Sequence, residues 1–438
     1  MMRRLVVVFM AALGLAACSS WMGESQAPPL PGKRISVLSR EKTLEPEITG
    51  EAAVIKLPPP EANEDWPQAG GYANHAMHHM EVGDRLERQW RTGVGEGSGK
   101  RVRLLAPPIV AEGLAFTVDT ESLVRAVDAN TGRVRWSKNV TPEDDDDYYP
   151  GGGVAYEDGQ LFVSTGFAQM VSLDAKTGKV LWRQNLSGPM RGAPTVRAGR
   201  VFVITVDNQT HALATEDGAV LWSHQGISEG ASLLGGTSPA VDGEVVVVAY
   251  SSGEMFALRV ENGIVLWQEQ LTTVRRTDNV ATLSDIRGRP IIDRGRVYAI
   301  GHADMLVAVD LRSGRRLWER EIGGIQSPWV AGDYLFLVSN DNKAVALEAR
   351  TGRILWVTQL RVWEDEEDHE GRVVWAGPVL ASDRLILANS LGELVSMSPY
   401  SGEVLGKIDA PDGVSLPPAV AGGALYFLTE DADLVAYR

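Results

Sequence analysis

Ala126-Val-Asp128-Ala-Asn-Thr131-Gly132-Arg-Val-Arg-Trp136 reads as a short strand, a Thr-Gly turn and a second strand that ends on tryptophan. The same frame returns at Ser172 to Trp182, Ala212 to Trp222, Ala257 to Trp267, Ala308 to Trp318 and Ala346 to Trp356, always with the small residue ten positions before the Trp. A fixed period of this kind marks a repeat architecture, in which each unit buries its apolar face against its neighbours. One further copy, Ser396 to Gly406, keeps the small residue and the Ser401-Gly402 turn but carries glycine where the others carry Trp.

The two ends of the series complement each other. Ala436, in Leu434-Val-Ala436-Tyr-Arg438, has no sequence left for its Trp, while Trp90 has no strand-turn frame leading into it. Joining the last strands to the Trp90 strand makes one composite unit, for a total of eight. Within a unit the strands are short: Pro239 to Val241, Glu244 to Tyr250, Met255 to Val260 and Ile264 to Gln270, separated by tight Gly turns. A proline at the start of the first strand recurs at Pro108, Pro194, Pro290, Pro328, Pro378 and Pro418, where a missing N–H is tolerated. The expected fold is all-β, an eight-bladed β-propeller of four-stranded antiparallel blades over residues 65–438. In it, Trp90, Trp136, Trp182, Trp222, Trp267, Trp318 and Trp356 form one column that packs between blades, and Gly406 marks the weakest junction.

Ahead of the repeats, Arg3 and Arg4 precede an apolar run, Leu5 to Leu15, too short to span a bilayer and fit for an export signal over residues 1–17. Cys18 is the single cysteine, which excludes an internal disulfide and any multi-cysteine metal site. Leu15-Ala16-Ala17-Cys18 resembles the lipobox of bacterial lipoproteins, which implies acylation of Cys18, and Ser19 resembles the signal of lipoproteins sent to the outer membrane. Residues 18–64, with Pro28-Pro29-Leu30-Pro31 and Pro58-Pro59-Pro60, read as a tether. Loss of residues 1–17 removes two arginines and no acid, taking the net charge from −15 to −17, which disfavours nucleic acid as a partner.

The frame Ala-x-Asp-x-x-Thr-Gly-x-x-x-Trp resembles the repeat of pyrroloquinoline quinone (PQQ) dehydrogenases. Together with the lipobox-like string and the chain length, it resembles the BamB family of propeller lipoproteins in the outer-membrane β-barrel assembly machinery. The resemblance implies a non-catalytic scaffold without cofactor, lipid-anchored in the outer membrane and facing the periplasm. It would dock on the periplasmic domains of the barrel assembly subunit, with unfolded outer-membrane proteins as a further partner. The alternatives are a quinone-dependent dehydrogenase and another envelope binding or sensor propeller. The dehydrogenases' adjacent cysteine pair has no counterpart in this chain, and Asp128, Asp174 and Asp310 read as acceptors for their own turns.

Other chemistry is weakly signalled. His75, His78 and His79 lack a neighbouring carboxylate or cysteine to complete a metal site. The acidic runs 143–147 and 364–368 lack the glycine spacing of a calcium loop and read as solvated charge. Loop length says more: Trp267 and Pro290 stand 23 positions apart and Trp356 and Pro378 stand 22, against 10 for Trp318 and Pro328. All such links emerge on one face of the ring, and binding residues commonly sit on loops over a rigid scaffold. On two of these links the family resemblance continues. Met190-Arg191-Gly192 and Leu283-Ser284-Asp285 resemble the segments that contact the barrel assembly subunit, except that Arg287 stands where the family has a second acid.

Overall fold

The computed structural model describes residues 44–48, 50, 54–100, 102–144, 149–271 and 284–438, and residues 45–438 form one compact unit. Cys18 and Leu283 lie outside the described residues. Eight four-stranded antiparallel sheets follow one another along the chain, which is the expected eight-bladed propeller. Blade 1 is Ile109–Ala111, Leu114–Val118, Leu123–Asp128 and Val134–Asn139, paired in that order. Blades 2 to 7 repeat the pattern over residues 153–185, 195–225, 240–270, 291–320, 329–359 and 375–409. Blade 8 is composite: Ala419–Ala421, Ala424–Leu428 and Asp433–Tyr437, closed by Arg88–Gly93, with Trp90 opposite Ala436.

The ten-residue spacing has a direct cause. In every blade the small residue of the third strand stands directly across from the Trp position of the fourth, as in Ala126 with Trp136 and Ala346 with Trp356, and a bulge follows at once. The indole therefore lies over a residue too small to displace it. In blades 1, 2, 3, 5, 6 and 8 the ring packs at a tilt against an aromatic of its own blade: Phe116, Phe162, Phe202, Tyr298, Phe336 and Tyr426. The ring N–H reaches into the next blade, as from Trp136 to the Ala175 carbonyl at 2.9 Å and from Trp356 to the Pro399 carbonyl at 2.9 Å.

Opposite each Trp is the turn glycine of the following blade. At Gly178, where φ is +70°, an added Cβ would lie 2.6 Å from the Trp136 ring. Glycine is needed there twice over, for the left-handed backbone and for the close approach. The turn is tied by its aspartate: Asp128 accepts from the Thr131 N–H at 2.9 Å and its hydroxyl at 2.8 Å, and Asp174 does the same with Thr177.

Gly406 lacks a Trp at the junction of blades 7 and 8, and the structure shows the matching absence on the other side. Blade 8's third and fourth strands come from opposite chain ends, so no turn glycine exists there for an indole to meet. A Cβ at Gly406 would touch nothing within 4 Å, and a cavity of about 210 Å³ lies beside it, lined by Leu405, Ile408, Phe427 and Leu86.

Because the strands alternate in direction, one rim of the ring carries the first-to-second and third-to-fourth turns, and the other carries the blade-to-blade links. We call these the turn rim and the link rim. The channel at the turn rim is filled by a loop that the repeats do not announce. Asn63 bonds blade 8, Trp66 pairs with Val110 of blade 1, and Gln68 bridges Ala155 of blade 2 and Val196 of blade 3. Ala73, Asn74, His78 and Met80 then meet blades 4, 5, 6 and 7 in turn, through Val241, Ile292, Trp329 and Leu380. Glu61 and Met80 pair to close this inner circle.

The segment expected as the end of the tether also makes contacts. Glu47 and Ile48 donate to the Ile354 carbonyl on the outer strand of blade 6, and Ile48 and Ile55 are buried.

Candidate functional site

Three consecutive links on the link rim bring the sequence-selected residues together: 186–194 into blade 3, 226–239 into blade 4 and, of the link into blade 5, the described residues 284–290. The first is pinned at both sides, since the Met190 N–H donates to Thr165 at 3.1 Å and the Val206 N–H to Pro189 at 2.8 Å. Its three selected residues then divide. Arg191 keeps exposed surface. Met190 does not: its side chain is fully buried with Ala155, Phe162, Met170 and Val203, so the expectation of an apolar surface contact is corrected to a core anchor. The cause is local, because both neighbouring hairpin turns hold the backbone there and turn the thioether inward.

Gly192 is a spacer rather than a contact. A Cβ on it would lie 2.0 Å from the Thr237 carbonyl oxygen, and one on Gly152 would lie 2.1 Å from the Gly192 carbonyl oxygen. Three stretches of backbone thus pass one another with no room for a side chain, and the Ser164 hydroxyl donates to the Gly192 carbonyl at 2.9 Å.

Asp285 and Arg191 line the same small cavity of about 40 Å³, so the structure does unite the two halves of the expected site. Asp285 is nevertheless nearly buried at 6% exposure and accepts from the Leu233 N–H at 2.7 Å. Burial pushes its carboxyl above the usual range, opposed by that N–H and by Arg287 and His302. It is a strut that fixes the middle link, while Ser284 is partly exposed beside Gly253. Arg287, at the departure from the family pattern, lies inside the rim near Gly235. Burial lowers its guanidinium against the pull of Asp285.

The middle link supplies residues that sequence reading missed. Ile227 is 59% exposed and Leu234 45%. Ile227 is not loose: its N–H donates to Glu254 at 2.7 Å and its carbonyl accepts from Asn208 at 2.6 Å. Its apolar side chain is presented on a fixed backbone, which removes much of the ordering cost of a contact. The available signal was the isolated Ile227 and the Leu233-Leu234 pair within a Gly- and Ser-rich link.

The histidines serve the inner loop. His75 Nδ1 bonds the Pro290 carbonyl at 2.7 Å, His79 Nδ1 the Pro58 carbonyl at 2.6 Å, and His78 faces Asp293 at 3.3 Å. Each meets a different partner rather than a shared centre. Among the described residues no group of three or more His, Cys, Asp or Glu is placed to hold a metal ion. The acidic run 364–368 sits in a two-stranded hairpin, Trp363–Asp365 with Glu370–Arg372, where Asp365 accepts from its own turn.

A family model described as "Outer membrane protein assembly factor BamB" matches residues 120–358. The assembly factor BamB of Yersinia pestis is 28% identical over 355 residues, covering 80% of this chain and 88% of that protein. The BamB of Escherichia coli K12 is 28% identical over 78% of this chain and 86% of its own length. Among solved structures, BamB from Moraxella catarrhalis superposes with a TM-score of 0.67 at 18% identity, covering 81% of this chain and 100% of that one. A europium-containing methanol dehydrogenase gives 0.66 at 15% identity, covering 85% and 89%, so the fold alone spans both assembly factors and dehydrogenases.

Proposed function

The chain belongs to the BamB family of outer-membrane protein assembly factors, and from that premise we propose that it is a non-catalytic scaffold of β-barrel assembly. It is held at the outer membrane through acylated Cys18 and faces the periplasm. It docks on the periplasmic domains of the barrel assembly subunit through the link rim of blades 3 to 5. The observation that carries this reading is that two neighbouring links of one rim present a partly exposed Arg191 and the exposed Ile227 and Leu234, with Ile227 held on a hydrogen-bonded backbone. A central apolar contact flanked by an arginine is the composition expected of a protein-binding hot spot. Arg191 supplies a fork of donors for a partner carboxylate or carbonyl, and Asp285 acts from beneath by holding Leu233.

Unfolded outer-membrane strands are served by a second surface. The outermost strands of blades 3 and 4 expose Val220 and Leu221 at 47% and 45%, and Val265 and Leu266 at 45% and 41%. Apolar sheet edges of this kind accept an added strand. A calcium-bound quinone does not fit the middle of the ring, because the space open there is only about 30 Å³ and a calcium ion would face the cations Arg289 and Arg287.

The test is capture from detergent-solubilised outer membrane with the tagged chain, comparing wild type with Arg191→Glu and Ile227→Asp. Recovery of the barrel assembly subunit by wild type, and its loss in variants that melt normally, is the expected result. Failure of the wild type to recover that subunit would remove the docking reading.

A further inference from the structure

The channel is closed at the turn rim by the inner loop, which leaves a blind well opening toward the link rim. Residues leading into or within the first strands form its wall, among them Pro107, Ser327, Pro378 and Pro418, and its floor is Trp66 stacked on Trp329. Arg289 stands in this well. It lies deep within the ring yet keeps some surface on the internal void, while its Nε is shut off from that void and has no hydrogen-bond partner. No acid faces it among the described groups; the charge that acts on it is Arg287, of the same sign.

Burial and that neighbour bring the guanidinium down to about 10, so it remains charged at neutral pH. His75, across the well, offers no counter-charge. Burial and Arg289 pull its imidazole down to about 3 although the Pro290 carbonyl opposes this, and its Nε2 is also unpartnered. An unpaired cation at this depth is costly unless something outside the chain neutralises it. The space sets the size of that counter-charge: about 30 Å³ is open to water-sized atoms. That holds a small head group and not a sugar or a nucleotide. The Ser327 hydroxyl, in the wall of the well, accepts from the backbone N–H of Arg289 at 2.8 Å, which leaves its own proton free to donate.

We propose that this well binds a small carboxylate, its oxygens taken by the guanidinium of Arg289 and the hydroxyl of Ser327, with access from the link rim. A planar carboxylate matches the fork of an arginine better than a spherical ion does. The site does not rest on the docking reading, since Arg191 and Ile227 take no part in it.

The experiment is titration of the purified full chain with sodium acetate at constant ionic strength, with chloride and inorganic phosphate in parallel, read by calorimetry and by melting temperature. The expected result is saturable one-to-one acetate binding that raises the melting temperature, weakened at least tenfold in Arg289→Gln, partly kept in Arg289→Lys and unchanged in Arg191→Gln. Should Arg289→Gln fail to fold, Ser327→Leu retains the cation and fills the well. Loss of acetate binding in that folded variant supports the site, and retention overturns it. An acetate effect that does not saturate, that matches chloride, or that persists in Arg289→Gln overturns the proposal, as does saturable phosphate binding with acetate silent.

Discussion

The turn rim and the link rim are ends of the same strands, yet they obey different rules. On the turn rim the contacts run from blade to blade. Each turn aspartate holds its own Thr or Ser, each turn glycine receives the Trp of the preceding blade, and the inner loop bonds all eight blades. On the link rim the links differ in length, bury an aspartate, and leave Ile227 and Leu234 in solvent. Where the next blade is the partner, the residue repeats, because every blade presents the same surface. Where the partner lies outside the ring, nothing enforces repetition, and the links are free to differ.

The sharpest way to break this contrast is at the inner loop. Trp66→Ala removes a ring that is 3% exposed and stacked on Trp329, and should cost about 3–5 kcal/mol. It would be read as a fall in the denaturant midpoint. A fall of less than about 1 kcal/mol would mean that the loop fills the channel without bracing it.

A smaller effect of opposite sign is expected at the one junction without a Trp. Gly406→Trp would fill the cavity of about 210 Å³ and should add about 1 kcal/mol. Gain is limited because blade 8 offers no turn for the indole N–H, and a loss of stability would show that the cavity cannot accept a ring.

The two rims should also answer pH with opposite signs. Arg135 and Thr131 hold the Asp128 carboxyl down at about 2 on the turn rim. Its contribution is therefore present above the ordinary carboxylate value and lost as pH falls toward 2. Asp285 on the link rim is raised by burial, so its contribution is present at low pH and lost as pH rises through its folded value. Relative to wild type, Asp285→Asn should become more stable as pH rises from about 4 to 7, whereas Asp128→Asn should become less stable as pH rises from about 2 to 4. Melting curves across the range check this, and slopes of one sign would remove the distinction.

The least effect on stability belongs to Arg191→Glu, within about 0.5 kcal/mol, since the side chain is partly exposed at the rim of an open cavity. A large loss would turn Arg191 from a docking residue into a structural one.

The blade count, the composite closure and the Trp column were legible because each rests on local spacing that repeats. Even the missing Trp was visible, though its reason was not, since that reason is a turn absent from the neighbouring blade. The site was legible by halves. Arg191 and Asp285 do share a cavity, but Met190 proved to be core and Asp285 a strut, because exposure depends on which hairpin turns lie beneath a link. Ile227 and Leu234 carried no motif, and only their exposed positions give them weight.

By itself, then, the sequence determined the all-β ring, its eightfold count and the identity of its joints, all consequences of contacts that recur with a fixed period. The tertiary structure alone decided what fills the ring and what faces outward. Residues 61–82 have no periodic signal, since their contacts pass from one blade to the next around the ring, and the charge of Arg289 is revealed as unpaired only when the blades surround it.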